Sequence, residues 1–171
     1  ARVRINRSPS ADAGHLRYQR KAIDLCELVR GETERVRPLL AVGVTLLVNC
    51  RAQHAVALID GGRIEQVLRN LLMNSVRHTH SGSINVELTA DDEEIRVAVR
   101  DTGDGIAAGS LAYVFERFYR SDVARSDSDG GSGLGLAISR RIAEDHGGSV
   151  FAESDGTTGA TVGFVLPVFM G

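Results

Sequence analysis

The stretch Arg63-Ile-Glu-Gln-Val-Leu-Arg-Asn-Leu-Leu-Met-Asn-Ser-Val-Arg-His-Thr79 orders everything around it. Ile64, Val67, Leu68, Leu71, Leu72 and Val76 recur at spacings of three and four, which predicts one long amphipathic helix with Asp60 placed to cap its start. Asn70 and Asn74 stand one turn apart and share a face away from the leucines, and Arg77 joins them three residues on. Amide oxygens on such a face suit a hard cation such as Mg2+, which takes oxygen ligands and keeps several waters. The same residues also make an ordinary polar helix face, so the helix alone leaves both readings open.

Upstream, the ordered domain is expected to start near Ile23, and Leu25, Leu28, Val29, Glu32 and Val36 recur at helical spacing as far as Pro38, predicting a first helix. Val42, Val44, Leu46 and Val48 alternate, and Ala55 to Ile59 is a short apolar run, so two short strands follow, closed by Asp60 and Gly61. Downstream, Ile84, Val86 and Leu88 alternate, as do Ile95, Val97 and Val99, with the Ala90 to Glu94 turn between them predicting an antiparallel pair. A helix from about Leu134 to His146 ends at Gly147 and Gly148, and strands near Ser149 to Glu153 and Ala160 to Pro167 complete the pattern. The expected architecture is α/β, a mixed and largely antiparallel sheet of about five strands covered on one face by about three helices. No internal repeat is visible.

The chain has 171 residues, 43% of them apolar, enough for one core. It holds no apolar run of membrane-spanning length, and its N-terminus, with Arg2, Arg4 and Arg7 but no apolar stretch behind them, does not read as a signal peptide. A net charge of -2 argues against a nucleic-acid binder. Residues 1 to 22 carry a basic excess around Ser, Pro and Gly and read as a solvated linker, or as a contact for an acidic partner, with the domain proper at 23–171. Cys26 and Cys50 lie far apart without a ligand cluster, so neither a disulfide framework nor a zinc site is indicated, and a reducing, cytosolic setting fits. Lys21 is the only lysine, so a side-chain cation that meets phosphate must be an arginine.

Two glycine-bearing segments carry further chemistry. In Asp101-Thr-Gly-Asp-Gly-Ile106 the carboxylate of Asp101 has the same strand parity as Ile95, Val97 and Val99, so it aims at the covered face. A buried carboxylate needs a donor, and the exocyclic amine of adenine is one candidate. Gly103 and Gly105 let the backbone approach a flat base. Gly130-Gly-Ser-Gly-Leu-Gly-Leu136 opens a helix, where free N–H groups and the helix dipole form a phosphate cradle. It is neither a Walker loop, having no lysine, nor a dinucleotide fingerprint, which would follow a strand directly. Between the two, Phe115-Glu-Arg-Phe-Tyr-Arg120 precedes a polar run from Ser121 to Ser132 that reads as a mobile loop. The aromatics suit either a hydrophobic anchor for that loop or a direct role beside a nucleotide, and the arginines can meet phosphate bidentately.

In this order and at these distances, the segments resemble the ATP-binding catalytic domain of sensor histidine kinases, of the GHKL superfamily with the Bergerat fold. Residues 69–77 resemble the N box, 101–106 the first glycine box, 115–118 the F box and 131–136 the second glycine box. The likeness runs from about Asp24 to Pro167 and implies a two-layer α/β sandwich that binds Mg-ATP. It implies that Asn74 ligates Mg2+ with Asn70 supporting it, that Arg77 and His78 lie near the phosphates, and that Asp101 accepts the adenine amine with Thr161 helping through a water. Gly103, Gly105 and Ile106 would line the base. Tyr119, Arg120, Gly131, Ser132, Gly133, Leu134, Gly135 and Leu136 would border the nucleotide, with residues 116 to 132 as an ATP lid.

Ser75 stands where the family usually has alanine, and Arg77 where it usually has lysine. The family's phosphoacceptor motif is not found: Gly14-His-Leu-Arg17 lacks the acidic neighbour and the Thr-Pro, so His15 reads as a linker residue. The resemblance therefore implies a γ-phosphate presented to a histidine on a separate dimerisation domain and then used by a cognate response regulator. It implies a monomeric isolated domain, and a homodimeric, membrane-anchored full-length protein with this part in the cytoplasm. Two other readings use the same pocket. A gyrase-, Hsp90- or MutL-like ATPase would need a glutamate where Asn70 stands, and an amide cannot act as a general base. A non-catalytic nucleotide sensor needs only the binding residues.

Overall fold

The computed structural model describes residues 1–5, 17–52, 54–119 and 133–171. Strand alternation builds its main sheet. In β5 (Gly82–Ala90) and β6 (Glu94–Asp101), Ile84, Val86, Leu88, Ile95, Val97 and Val99 are all fully buried on one face. Val86 lies opposite Val99 and Leu88 opposite Val97, so the two strands close as the antiparallel pair their spacing predicts. Around them the six-stranded sheet runs β1-β7-β8-β6-β5-β3, with β1 at Arg2–Ile5, β3 at Val44–Cys50, β7 at Ser149–Ser154 and β8 at Ala160–Pro167. Only the β3–β5 pair is parallel.

Three amphipathic helices cover the apolar face: α1 (Leu25–Val36), α2 (Gly61–His78) and α4 (Gly135–Asp145); α3 (Ala108–Leu111) is a single turn. Ile64, Val67, Leu68, Leu71 and Leu72 of α2 are each at most 1% exposed. Burial worth on the order of 1.5–3 kcal/mol for each such side chain fixes which way the helix is turned about its axis. Asp60 caps α2, its carboxylate accepting from the Arg63 N–H at 3.2 Å. Between α1 and α2, the fully buried carboxylate of Glu32 accepts from Arg69 at 3.0 and 3.2 Å and also meets Arg35.

The two-layer class is as expected, and the structure adds detail. The main sheet has six strands rather than about five. Residues 56–59 form β4, the second of the two expected short strands, which pairs with β2 (Lys21–Asp24) in a separate two-stranded ribbon. Helix α1 starts at Leu25, the first residue of its apolar stripe, because Asp24 is extended and its carboxylate accepts from the Cys26 N–H at 2.8 Å as the N-cap. Finally, residues 2–5 form an edge strand inside the stretch expected to be linker. Val3 and Ile5 pack against the core while Arg2 and Arg4 pair outward with Glu153 and Glu94, an alternation the arginine excess concealed. His15 lies outside the described residues.

Candidate nucleotide site

Helix α2 contributes two functional edges. On one, the Asn70 amide donates from Nδ2 to the Gly135 carbonyl at 3.0 Å and lies 3.3 Å from the Ser139 hydroxyl. A Cβ on Gly135 would sit 3.5 Å from Asn70 Cγ, in ordinary van der Waals contact. The polar face of the long helix is thereby joined to the first turn of α4, which the second glycine segment opens. With its donor end spent on α4, the Asn70 amide keeps its carbonyl oxygen as free acceptor capacity. Asn74 lies half-buried one turn further on, and Arg77 is exposed. Among the described residues no cluster of three or more His, Cys, Asp or Glu could hold a metal. That donor set fits a magnesium ion carried mainly by water and phosphate oxygens and touched by an amide, and does not fit a fully protein-built metal cage.

The other edge meets the end of β6. Asp101 is 4% exposed, as its parity predicts, and three donors of the chain itself satisfy it. Oδ2 accepts from the Ser75 hydroxyl at 3.0 Å, and Oδ1 from the backbone N–H of Gly103 at 3.0 Å and of Ala160 at 3.2 Å. A ligand is therefore not required to hold this carboxylate in the interior, although Oδ2 retains room for another donor.

The glycines of the Asp101 segment pack closely against the chain itself. A Cβ at Gly103 would lie 2.0 Å from the His78 carbonyl oxygen, and one at Gly105, where φ is +77°, would lie 2.8 Å from the Thr157 nitrogen. Both close approaches are to neighbouring backbone: Gly103 to the end of α2, Gly105 to the turn between β7 and β8. The Asp104 N–H donates to the same His78 carbonyl at 3.3 Å, and His78 Nδ1 is 3.7 Å from Asp104 Oδ2. Ile106 is anchored by its N–H, which donates to Ser154 Oγ at 2.9 Å.

The aromatic segment divides its labour. Phe115 is 1% exposed and belongs to the core, whereas Phe118 is 72% exposed and has a positive φ of 61°. The Phe118 N–H donates to the Gly133 carbonyl at 3.1 Å, which brings the two ends of the intervening segment together. Tyr119 faces Tyr113 with ring centroids 5.9 Å apart, and Arg140 of α4 bonds Glu116 at 3.0 Å. Leu134 immediately precedes α4, and Leu136 is partly buried against the core. Arg120, Gly131 and Ser132, and most of the expected lid at 116–132, lie outside the described residues.

Thr161 is a correction. In the register of β8 it pairs with Arg100, while Val162 pairs with Val99 in the core, so its side chain is on the face of the sheet opposite Asp101. It lines a shallow concavity of about 540 Å3 with Arg2, Arg100, Glu153 and Asp155, which Asp101 and Ala160 also border but in which neither asparagine nor Gly135 takes part. The residue of that strand that reaches the carboxylate is Ala160, through its backbone. Ser75, which is not among the residues the sequence assigns to the site, touches this carboxylate as well. It had a signal: three residues after Leu72 and four after Leu71, it is a polar residue on the buried stripe of α2, where it must find a partner.

A six-stranded mixed sheet under three helices, with an asparagine face on the long helix against a glycine-opened helix, defines a known class. Residues 59–169 match the model of the "Histidine kinase-, DNA gyrase B-, and HSP90-like ATPase" family, and the chain belongs to it. Its relatives in that family include sensor kinases. It is 37% identical over 161 residues to the sensor histidine kinase MtrB of Mycobacterium tuberculosis, covering 94% of this chain and 28% of that protein. It is 33% identical over 159 residues to the signal transduction histidine-protein kinase BaeS of Escherichia coli, covering 92% and 34%. Among solved structures it is similar to full-length ShkA in complex with AMPPNP, with a TM-score of 0.80, 30% identity and coverage of 91% of this chain and 32% of that one. The mycobacterial sensor histidine kinase MprB matches with a TM-score of 0.73 and 26% identity, over 87% of this chain and 97% of that one. The chain thus spans about a third or less of the curated relatives named here. Among the described residues no helix is long and apolar enough to cross a membrane.

Proposed function

We propose that this domain binds Mg-ATP and presents the γ-phosphate for transfer to a histidine on a separate dimerisation domain, as the catalytic part of a two-component sensor kinase. The observation that carries this reading is the Asn70–Gly135 hydrogen bond, which sets the asparagine face of α2 against the opening of α4. Helix N-termini favour phosphate oxygens through free N–H groups and the helix dipole, and an asparagine amide beside them suits the magnesium that phosphate brings. The adenine amine would reach Asp101 Oδ2, the phosphates the start of α4 near Gly133, Leu134 and Gly135, and Mg2+ the Asn74 amide with Asn70 in support. The bound AMPPNP of the ShkA structure, an analogue of ATP, supports the choice of nucleotide.

In phosphoryl transfer the protein chiefly positions groups and stabilises charge, so the nucleophilic imidazole comes from the acceptor domain. Phosphate then passes to a response regulator. The whole protein would be a membrane-anchored homodimer with this domain in the cytoplasm. A hydrolase is disfavoured because Asn70, which donates to α4, is an amide and cannot draw a proton from water.

The test has two stages. Calorimetry with ADP in Mg2+ or in chelator should show Mg-dependent binding that Asp101→Asn weakens at least tenfold. The domain with ATP should then place acid-labile phosphate on a histidine-bearing dimerisation domain supplied in trans. Rapid steady-state hydrolysis without acceptor would favour the ATPase, and nucleotide binding with no transfer to any acceptor tried would favour a sensor module.

A further inference from the structure

Ser75 is 1% exposed, and its hydroxyl proton goes to Asp101 Oδ2 at 3.0 Å. The other carboxylate oxygen is taken by two backbone donors, Gly103 from the loop after β6 and Ala160 from β8. One carboxylate is therefore held from three directions by three separate elements. An ionised carboxylate offers about four lone-pair sites on its two oxygens. Oδ1 has two donors and Oδ2 one, so Oδ2 is the oxygen with capacity left for an incoming N–H, and Ser75 decides where that capacity points. Thr161 does not share this work, because it pairs with Arg100 on the far face.

We propose that Ser75 is a positioning residue for adenine recognition: its hydroxyl fixes the plane of the Asp101 carboxylate and provides on α2 the hydroxyl that β8 does not provide. This inference rests on the reading of Asp101 as the adenine acceptor. Ser75 directly follows Asn74, so one turn of one helix governs both the carboxylate at the base end and the amide at the metal end. The span between base and phosphates is set by that rigid turn, with no loop in between.

The experiment compares ADP with purine-riboside 5′-diphosphate, which lacks the exocyclic amine, each titrated in Mg2+ into the unmodified domain, Ser75→Ala and Asp101→Asn. The unmodified domain should prefer ADP. Ser75→Ala, which loses only a hydroxyl, should cut that preference about five- to tenfold, as expected for the loss of one hydrogen bond's worth of orientation. Asp101→Asn should abolish it. Were Ser75→Ala to weaken both ligands equally, or to leave the ratio unchanged while Asp101→Asn removes it, Ser75 would be a structural residue only and the inference overturned. Were the unmodified domain to show no preference for ADP, or no binding, the adenine reading of Asp101 would fall and this inference with it.

Discussion

Asn70 Nδ2 lies 3.0 Å from the carbonyl oxygen of Gly135, a contact across 65 residues of chain that ties the middle of α2 to the first turn of α4. Asn70→Ala removes this bond and the one to Ser139. It should lower stability by about 1–3 kcal/mol, since each hydrogen bond is worth about 0.5–1.5 kcal/mol net, and weaken Mg-ADP binding at least tenfold. Thermal unfolding and calorimetry on the same sample separate the two effects.

Thr161→Ala should leave ADP affinity within about twofold of the unmodified domain, because its side chain is turned away from Asp101. A larger loss would mean that the register of β8 places the wrong residue on the site face.

Gly103→Ala would put a Cβ 2.0 Å from the His78 carbonyl oxygen, a backbone atom with no freedom to yield. We expect about 3 kcal/mol of destabilisation, at the upper end for overpacking, and a drop in Tm of about 6–12 °C. Gly109→Ala, where a Cβ meets nothing within 4 Å, is the control and should leave Tm unchanged or slightly higher.

Arg69→Ala strips Glu32 of its two-pronged partner across the α1–α2 interface while the carboxylate stays fully buried. Loss of a partner at a buried pair costs about 3–5 kcal/mol; with the arginine about half exposed we expect about 2–3 kcal/mol. Arg51→Ala, which breaks the exposed pair with Glu87, should have no measurable effect in the same urea titration.

His146 should make stability fall with acid. Its Nε2 accepts from the Asp60 N–H at 3.1 Å and its Nδ1 lies 2.7 Å from the Ile142 carbonyl, an arrangement that needs the neutral ring. Burial, assisted by Arg20 and opposed by the Ile142 carbonyl, Asp60 and Asp145, holds its pKa below the ordinary 6.5. With the folded value depressed, the unfolded chain binds the extra proton first. Stability is therefore intact above about pH 6.5 and declines as pH falls toward the folded pKa. His146→Gln should flatten that part of the Tm-against-pH curve.

What the sequence disclosed, and what it hid, follows from how local each signal is. The buried stripe of α2, the β5–β6 pair and the inward aim of Asp101 are matters of spacing within a few residues, and the structure has each of them. The partners of that carboxylate come from Ser75, Gly103 and Ala160, 26, 2 and 59 residues away, and only the nearest is visible in a local pattern. Thr161 was misplaced because a motif compared by letter ignores strand parity: one position along β8 exchanges the covered face for the open one. Residues 2–5 were hidden for a related reason, since their apolar residues face the core from between two arginines.

The last strand in the chain, β8, is not at the edge of the sheet but between β6 and β7. Before it arrives, β6 has an unpaired edge, and Asp101 lacks the Ala160 donor that steadies it. Pairings between distant segments form more slowly than local hairpins, and an open edge is meanwhile available to other chains. The surroundings of Asp101 are thus completed by the strand that comes latest in sequence, and a chain stopped short of β8 would be sticky before its sheet could close.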